Sequence, residues 1–363
     1  MKPLTAHKVW FVTGSQPLYS DETVRQVAGH AREIASGLNE DPLMPLELTL
    51  GPVVTSPEEI EQVVREANNT PSCAGLVFWM HTFSPAKMWI RGLKSLQKPF
   101  AHLHTQYNRD IPWDTIDMDF MNLNQSAHGD REFGFMASRL RISRTVIVGH
   151  WKEGSVREKL SRWARAAAAL AESRSLKIAR FGDNMREVAV TEGDKVEAQA
   201  AFGYSVNGYG VGDLVEHIQA VTPAAVQQLV DVYRESYIIA DGLLEDSLGK
   251  QRVEDAAVIE LGMRSFLESG GFRAFTTTFE NLHGLKQLPG LAVQRLMADG
   301  YGFGAEGDWK TAAMTRIMKV MASGLEGGTS FMEDYTYHLE PGNTQVLGAH
   351  MLEVCPSIAS DRP

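Results

Sequence analysis

Short apolar runs and helical apolar stripes alternate along the first part of the chain. Runs that suit buried strands lie at residues 9–13, 46–50, 74–80 and 99–103. Residues 21–38 place apolar side chains three and four positions apart, which predicts a helix capped by Ser20 or Asp21. Ser56 to Glu59 form a capping box with proline at the first helical position, which predicts a second helix. This alternation predicts an open, mostly parallel α/β sheet.

Four residues follow the carboxyl ends of two predicted strands and are candidates for a binding site. Gln16, Leu18 and Tyr19 come after the first strand, and His81 comes directly after the third. Ligands of open α/β sheets bind outside the carboxyl ends of the strands. We therefore expect these four residues on loops that face a site.

Residues 106–135 interrupt the alternation with a polar and aromatic mixture of little periodicity. One interpretation is a long excursion over the surface. The other is a loop that reaches a site, on this subunit or on a neighbouring one, since long loops in compact domains are often functional. The pattern itself leaves both open.

The α/β alternation resumes in the central part of the chain. A strand at 146–149 and a helix at 155–172 precede a strand at 176–181, which begins a second domain. Further predicted elements are helices at 223–236 and 252–269 and a strand at 274–279. The predicted architecture is two open-sheet, mostly parallel, Rossmann-like α/β domains, at 1–174 and 175–325, followed by a β-rich segment at 326–363.

Near the end of the chain, two glutamates and a histidine occupy positions where the pattern favours small or apolar residues. Glu306 lies in a glycine-rich loop at 302–308, and Glu333 and His350 lie on the two strands of a hairpin around Pro341-Gly342. A two-residue loop places Glu333 opposite His350, and a four-residue loop keeps both on one face. A three-residue loop places them on opposite faces.

Acidic side chains are rarely buried unless they are paired or bind a metal. With an even loop length, the shared face of Glu333 and His350 predicts a metal or acid/base site, and Glu306 is the third polar residue of this cluster. A structural hydrogen bond between a glutamate and a histidine is the open alternative.

Composition narrows the class of protein. With 45 acidic and 35 basic residues, the formal net charge of −10 disfavours nucleic acid or an anionic membrane as the main partner. No run approaches the ~18 apolar residues that a membrane span needs, and the N-terminus lacks the features of a signal peptide. Cys73 and Cys355 lie far apart, which indicates free thiols in a reducing compartment. We therefore expect a cytoplasmic protein.

Long, unusual strings give the chain a close resemblance to the L-arabinose isomerase family over essentially all 363 residues. The strings that carry it are Trp10–Gln16, Trp79–Trp89, Asp117–Gln125, Arg180–Glu187, Phe279–Pro289 and the segments around Glu306 and Glu333. The resemblance implies an aldose–ketose isomerase that interconverts L-arabinose and L-ribulose, with D-galactose as a poorer substrate that gives D-tagatose.

The resemblance also implies a divalent metal, usually Mn²⁺, with Mg²⁺ or Co²⁺ as other candidates. Glu306 and Glu333 resemble the family's acid/base pair and metal ligands, and His350 resembles a third ligand. Moving a proton between C2 and C1 needs an acid/base pair and stabilisation of charge on O1 and O2. A set of two glutamates and one histidine suits manganese or magnesium.

By the same resemblance, several residues bind the sugar: Gln16, Leu18, Tyr19, Met185, Phe279, Gln125 and His128. Gln125 and His128 come from an adjacent subunit in the family. The resemblance therefore implies a homo-oligomer, a trimer or a hexamer, in which residues 106–135 reach a neighbouring subunit's site.

The chain departs from the family pattern at its end and at Pro17, where the family often has histidine. Family chains usually continue through a C-terminal domain that supplies a second histidine ligand. We therefore expect a truncated third domain, a metal shell one ligand short, and an exposed hairpin that favours association. Two other interpretations stay open: a catalytically silent sugar-binding or assembly protein, and a metal-dependent hydrolase that rests on the ligand set alone.

Overall fold

The computed structural model describes residues 3–18 and 20–363. The chain forms two compact units, of which the first ends at Ala171 and the second begins at Glu172. Each unit contains a parallel sheet with helices, and a small antiparallel sheet lies near the C-terminus. The prediction of two mostly parallel α/β domains is confirmed. Among the helices of the described residues, none has the length and apolar character needed to cross a membrane.

The first sheet has five parallel strands in the order β2-β1-β3-β4-β5. They are β1 (Lys8–Gly14), β2 (Glu47–Val54), β3 (Cys73–Met80), β4 (Phe100–His104) and β5 (Thr145–Val148). The central strand β3 is buried at every position, as its continuous apolar sequence predicts for a strand covered on both faces.

Six helices accompany this sheet: α1 (Asp21–Asn39), α2 (Pro57–Asn69), α3 (Ile90–Ser95), α4 (Met118–Leu123), α5 (Ser126–Arg139) and α6 (Gly154–Ser175). Ser20 caps α1, because its hydroxyl accepts a hydrogen bond from the Thr23 amide at 3.2 Å. Ser56 caps α2 in the same way through the Glu59 amide at 3.3 Å. Both serines therefore cap the helices that the sequence predicted for them.

Helices α4 and α5 lie in the segment that showed little periodicity. The buried positions of α5 are Ser126, Gly129, Asp130, Phe133 and Ala137. Their spacing is helical, but four of the five are small or polar. An apolar stripe could therefore not be seen in the sequence, and the expectation of an irregular segment is wrong for its second half.

The second sheet has four parallel strands in the order β7-β6-β8-β9. They are β6 (Lys177–Phe181), β7 (Ser205–Tyr209), β8 (Ala274–Thr276) and β9 (Gly302–Phe303). The strand predicted at 274–279 is shorter than expected, since the chain leaves it after Thr276 and makes a 3-10 turn at Phe279–Asn281.

The second unit contains α7 (Lys195–Phe202), α8 (Val211–Gln219), α9 (Pro223–Ser236), α10 (Ser247–Gly270), α11 (Gly290–Ala298) and α12 (Trp309–Ala322). Aromatic side chains of the sheet, among them Phe181, Phe275 and Phe303, are buried in one cluster with residues of α10 and α11. This packing fixes the carboxyl ends of β8 and β9, where the candidate site lies.

The C-terminal hairpin consists of β10 (Glu333–His338) and β11 (Gln345–Ala349). The amide of Asn343 donates to the Glu340 carbonyl at 3.0 Å, which closes a two-residue loop, one of the three loop lengths that the sequence left open. The register then shifts at Tyr335, so that Glu333 pairs with Ala349. The expected pairing of Glu333 with His350 is therefore wrong, because a bulge changes the alignment that the loop had set.

Candidate active site

Glu306 lies on the loop that joins the carboxyl end of β9 to α12. Its φ angle is +66°, and that of the next residue, Gly307, is +86°. A residue with a side chain is uncommon in this left-handed region, and such residues cluster at functional sites. The strained backbone fixes where the Glu306 carboxylate leaves the loop.

Backbone contacts hold this loop in place. The Met185 amide donates to the Glu306 carbonyl at 2.9 Å, and the Gly307 amide donates to the Thr277 carbonyl at 3.0 Å. A Cβ atom added at Gly307 would lie 2.5 Å from the Cα of Asn184, so this close approach requires glycine. The same contacts place Met185 beside Glu306.

A cavity at the carboxyl end of the second sheet contains several of the predicted site residues. Its lining comprises Thr277, Phe279, Leu282, Leu288, Pro289, Phe303, Ala305, Glu306, His350, Met351, Leu352 and Glu353. Two carboxylates and one imidazole therefore share an otherwise mostly apolar cavity. This composition is typical of a small-molecule site with a few polar groups that orient the ligand.

The pKa of the Glu306 carboxyl is raised, first by burial and next by the charge of Glu333. Glu353 and Glu280 raise it further, whereas His350 opposes the shift. Like charges that are held together disfavour ionisation, and a bound cation would relieve the repulsion. The described residues thus form an acidic cluster around Glu306.

His350 is oriented by a carboxylate that the sequence analysis missed. Its Nδ1 lies 2.6 Å from Oε2 of Glu353, and the side chains of His350 and Glu353 are 7% and 12% exposed. The edge of the imidazole also packs against the ring of Phe331, with centroids 5.0 Å apart. When Nδ1–H donates to Glu353, Nε2 keeps its lone pair for another partner.

Glu353 is three residues from His350, so a continuous strand would place the two side chains on opposite faces. The chain leaves the β conformation after Ala349, so that strand alternation no longer applies there. The three-residue spacing of His350 and Glu353 could have indicated the pair. Such a spacing brings two side chains together only where the strand ends before the first of them.

Glu306, Glu333 and His350 are thus electrostatic neighbours, although Glu333 lies on an exposed strand. Within residues 3–18 and 20–363, no three His, Cys, Asp or Glu side chains form a ready-made metal site. In donor type the three residues fit Mn²⁺ or Mg²⁺, which prefer carboxylate and accept imidazole. Binding would require their donor atoms to turn toward one another.

The predicted sugar-binding residues of the first unit lie after β1 and at the start of α5. Gln16 follows β1, beside a hydrogen bond of 2.6 Å between the hydroxyls of Ser15 and Thr82. Leu18 is 82% exposed, and Tyr19 lies outside the described residues. Gln16 and Leu18 follow the carboxyl end of β1, as expected.

Gln125 precedes α5 at its N-cap position, and His128 lies in the first turn. The imidazole of His128 packs edge-on against Phe83, with centroids 4.7 Å apart. His128 is exposed and Gln125 is half-buried. The segment that carries both residues packs on the chain just after β3, through a hydrogen bond from the Ser126 hydroxyl to the His81 carbonyl.

His81 does not face a site, contrary to expectation. Its side chain is buried, stacks on Trp79 and forms a hydrogen bond of 2.7 Å with His30. Burial, with a smaller effect of His30, lowers the pKa of His81 to about 3. The imidazole is thus a neutral part of the interior, enclosed by contacts with Trp79 and His30.

Three family models match successive parts of the chain. The L-arabinose isomerase N-terminal domain matches residues 3–175, the central domain residues 177–324, and the C-terminal domain residues 328–363. The expectation that the C-terminal domain is missing is therefore not supported, since its model matches the hairpin segment.

Curated L-arabinose isomerases are similar over the whole chain. The protein from Geobacillus thermodenitrificans is 62% identical over 363 residues, which cover 100% of this chain and 73% of the relative. The protein from Anoxybacillus flavithermus is 63% identical over 360 residues, which cover 99% of this chain and 72% of the relative. That from Koribacter versatilis is 63% identical over 365 residues, with 100% and 72% covered. The chain is an isomerase and belongs to the L-arabinose isomerase family.

Proposed function

We propose that this chain interconverts L-arabinose and L-ribulose, and D-galactose and D-tagatose more slowly, by moving a proton between C1 and C2 of the sugar. The relatives carry the name of this activity. The observation that supports it in this chain is that Glu306 and His350 line one cavity, while the charge of Glu333 is near enough to raise the pKa of Glu306. The cavity is mostly apolar around these groups, which is typical of a small-molecule site in which a few polar groups orient the ligand.

Isomerisation passes through an enediol, so one proton leaves C2 and one arrives at C1. We assign Glu306 and Glu333 as the acid/base pair, because two neighbouring carboxylates can divide proton removal and return between them. The backbone contacts of Glu306 with Met185 and of Gly307 with Thr277 hold the loop in one conformation. Apolar side chains such as Phe303 and Leu282 limit the access of water to the cavity.

The same residues are proposed to hold a divalent cation, Mn²⁺ or else Mg²⁺ or Co²⁺, with Glu306, Glu333 and His350 as ligands. If bound there, the ion would supply positive charge that stabilises the charge developing on the sugar oxygens. Glu353 holds Nδ1 of His350, which leaves Nε2 as the ligating nitrogen.

For the sugar itself, Met185 and Phe279 are proposed contacts from the second unit. The Met185 amide forms a hydrogen bond with the Glu306 carbonyl, and Phe279 lines the cavity. Gln16, Leu18 and Tyr19 are proposed contacts from the first unit. Gln125 and His128 are proposed to serve a neighbouring subunit within a cytoplasmic homo-oligomer, a trimer or a hexamer, through the segment 106–135.

The test is formation of L-ribulose from L-arabinose by the full chain across a titration with Mn²⁺. Glu306→Gln and Glu333→Gln each keep the shape of the side chain and remove the ionisable group, so turnover should fall by about 10²- to 10⁴-fold. Glu326→Gln changes an exposed glutamate in the loop before the hairpin and should leave turnover unchanged. Calorimetric titration with Mn²⁺ measures metal binding independently of turnover.

Absence of product at every Mn²⁺ concentration would refute the isomerase activity. The competing function is a silent sugar-binding or assembly protein of the same family. It predicts that L-arabinose raises the thermal stability of the wild type, without turnover.

A further inference from the structure

A carboxylate is buried beneath the first turn of α5 in the first unit. Oδ1 of Asp130 lies 2.7 Å from Nε2 of His102, and Oδ2 lies 3.6 Å from Nε2 of His104. The side chains of Asp130 and His102 are 0% and 2% exposed, whereas that of His104 is 33% exposed. Both histidines lie on β4, two residues apart, so they face α5 from one side of the sheet.

The hydrogen bond between Asp130 and His102 has a preferred direction. Nδ1 of His102 is buried without a partner. A buried N–H without an acceptor is costly, so the ring proton belongs on Nε2, where it is donated to Asp130. Burial lowers the pKa of His102 to about 3, with further lowering by the nearby charges of His104 and Arg144.

Burial of an ionisable pair is weak evidence of a role in stability, because well-packed apolar residues often stabilise a core at least as well. The pair has a specific geometric effect in this unit. It ties α5 to β4, and two neighbouring contacts tie the same turn to the end of β3. The Ser126 hydroxyl donates to the His81 carbonyl at 3.0 Å, and a Cβ atom at Gly129 would lie 2.8 Å from the Thr82 carbonyl oxygen.

The residues on the other side of this turn are those predicted to bind sugar. An α-helix advances 100° per residue, so His128 lies about 200° from Asp130 around the helix axis. His128 is exposed where Asp130 is buried, and Gln125 directly precedes the helix. The orientation of Gln125 and His128 therefore depends on how the buried face of the turn is held.

We propose that Asp130, held by His102, is a positioning residue for sugar recognition that fixes the turn presenting Gln125 and His128. This inference rests on the proposed function, in which Gln125 and His128 contact the sugar. Asp130 itself makes no contact with the sugar. His102 and His104 are the residues of β4 that contact the Asp130 carboxylate.

The test compares Asp130→Ala with Asp130→Asn in the full chain, at saturating Mn²⁺. Asp130→Ala removes the acceptor of the His102 N–H, so KM for L-arabinose should rise by about tenfold or more, since a misplacement of ~1 Å can cost up to about a hundredfold. The kcat per folded enzyme and the Mn²⁺ affinity should stay within about twofold, because Glu306, Glu333 and His350 are unchanged. Asp130→Asn keeps an oxygen at the same place and should restore KM.

Arg131→Ala is the matched control, because it removes a charged side chain next to Asp130 on α5 that is exposed to solvent. It should leave KM unchanged. If Asp130→Ala fails to fold, Asp130→Ser carries the same test with a smaller void.

An unchanged KM with less folded protein in Asp130→Ala would overturn the positioning role and leave a purely structural one. A wild type that yields no L-ribulose refutes the proposed function instead. Calorimetric binding of L-arabinose to the wild type and Asp130→Ala then decides the positioning role, which an equal affinity in both would refute.

Discussion

Acidification probes the buried histidine His81 directly. Its imidazole is closed to solvent, and its pKa of about 3 lies well below the ordinary value of 6.5. The folded first unit therefore excludes a proton that the unfolded chain accepts below pH 6.5. Above pH 6.5, His81 therefore does not reduce the free energy of unfolding. As the pH falls from 6.5 toward 3, the free energy of unfolding decreases.

The size of the effect follows from these two pKa values. Between pH 7 and pH 5 the unfolded imidazole becomes largely protonated, whereas the folded one stays neutral. Proton linkage then lowers the free energy of unfolding by about 2 kcal/mol through His81 alone. His30 contributes in the same direction, because burial lowers its pKa as well.

The assay is urea unfolding of the wild type and of His81→Gln at pH 7 and at pH 5, followed by tryptophan fluorescence. Trp79 stacks on His81 and reports on the first unit. Glutamine does not titrate, so the loss of stability between the two pH values should be smaller in the variant by about 2 kcal/mol.

His283→Gln removes an exposed imidazole of the second unit and should leave the pH dependence of the first-unit transition unchanged. Equal pH dependence in the wild type and in His81→Gln would refute the reasoning, since it would mean that His81 is protonated without penalty in the folded protein.

Three further predictions concern the second unit and the cysteines. Gly307→Ala should lower the free energy of unfolding by more than about 1–2 kcal/mol and reduce turnover, because alanine is strained at this φ and its Cβ meets the backbone of Asn184; unfolding curves and the ribulose assay check both effects. Glu260→Ala should cost about 3–5 kcal/mol in urea unfolding, because it leaves the Arg295 guanidinium without its buried partner. Cys73 should react slowly with a thiol reagent in the native protein and fast in urea, because burial raises its pKa to about 11; fast native labelling would contradict its placement in the core.

The regular elements of both units could be predicted well from the sequence. The buried strand β3 and the capped helix α2 combine several local signals that agree, namely apolar period, capping residues and proline position. The helix predicted at 223–236 has the same bounds in the structure, with Thr222 as its cap. Local propensity and tertiary packing favour the same conformation in these segments.

Other features depended on packing that no local pattern shows. Helix α5 is buried through Ser126, Gly129 and Asp130, whose partners are the backbone after β3 and the histidines of β4. Polar side chains on a buried face look like loop residues until their partners are known. The same holds for His81, whose burial follows from contacts with Trp79 and His30.

For the candidate site, the sequence by itself determined the residue types: a glutamate in a glycine-rich loop at 306, and a glutamate and a histidine on the two strands of a hairpin. Only the tertiary structure decided the left-handed backbone of Glu306, the bulge that moves Glu333 out of register with His350, and the pairing of His350 with Glu353. The physical reason is that chain alternation fixes the face of a side chain only while the strand continues. Once the strand bulges or ends, long-range packing determines which side chains meet.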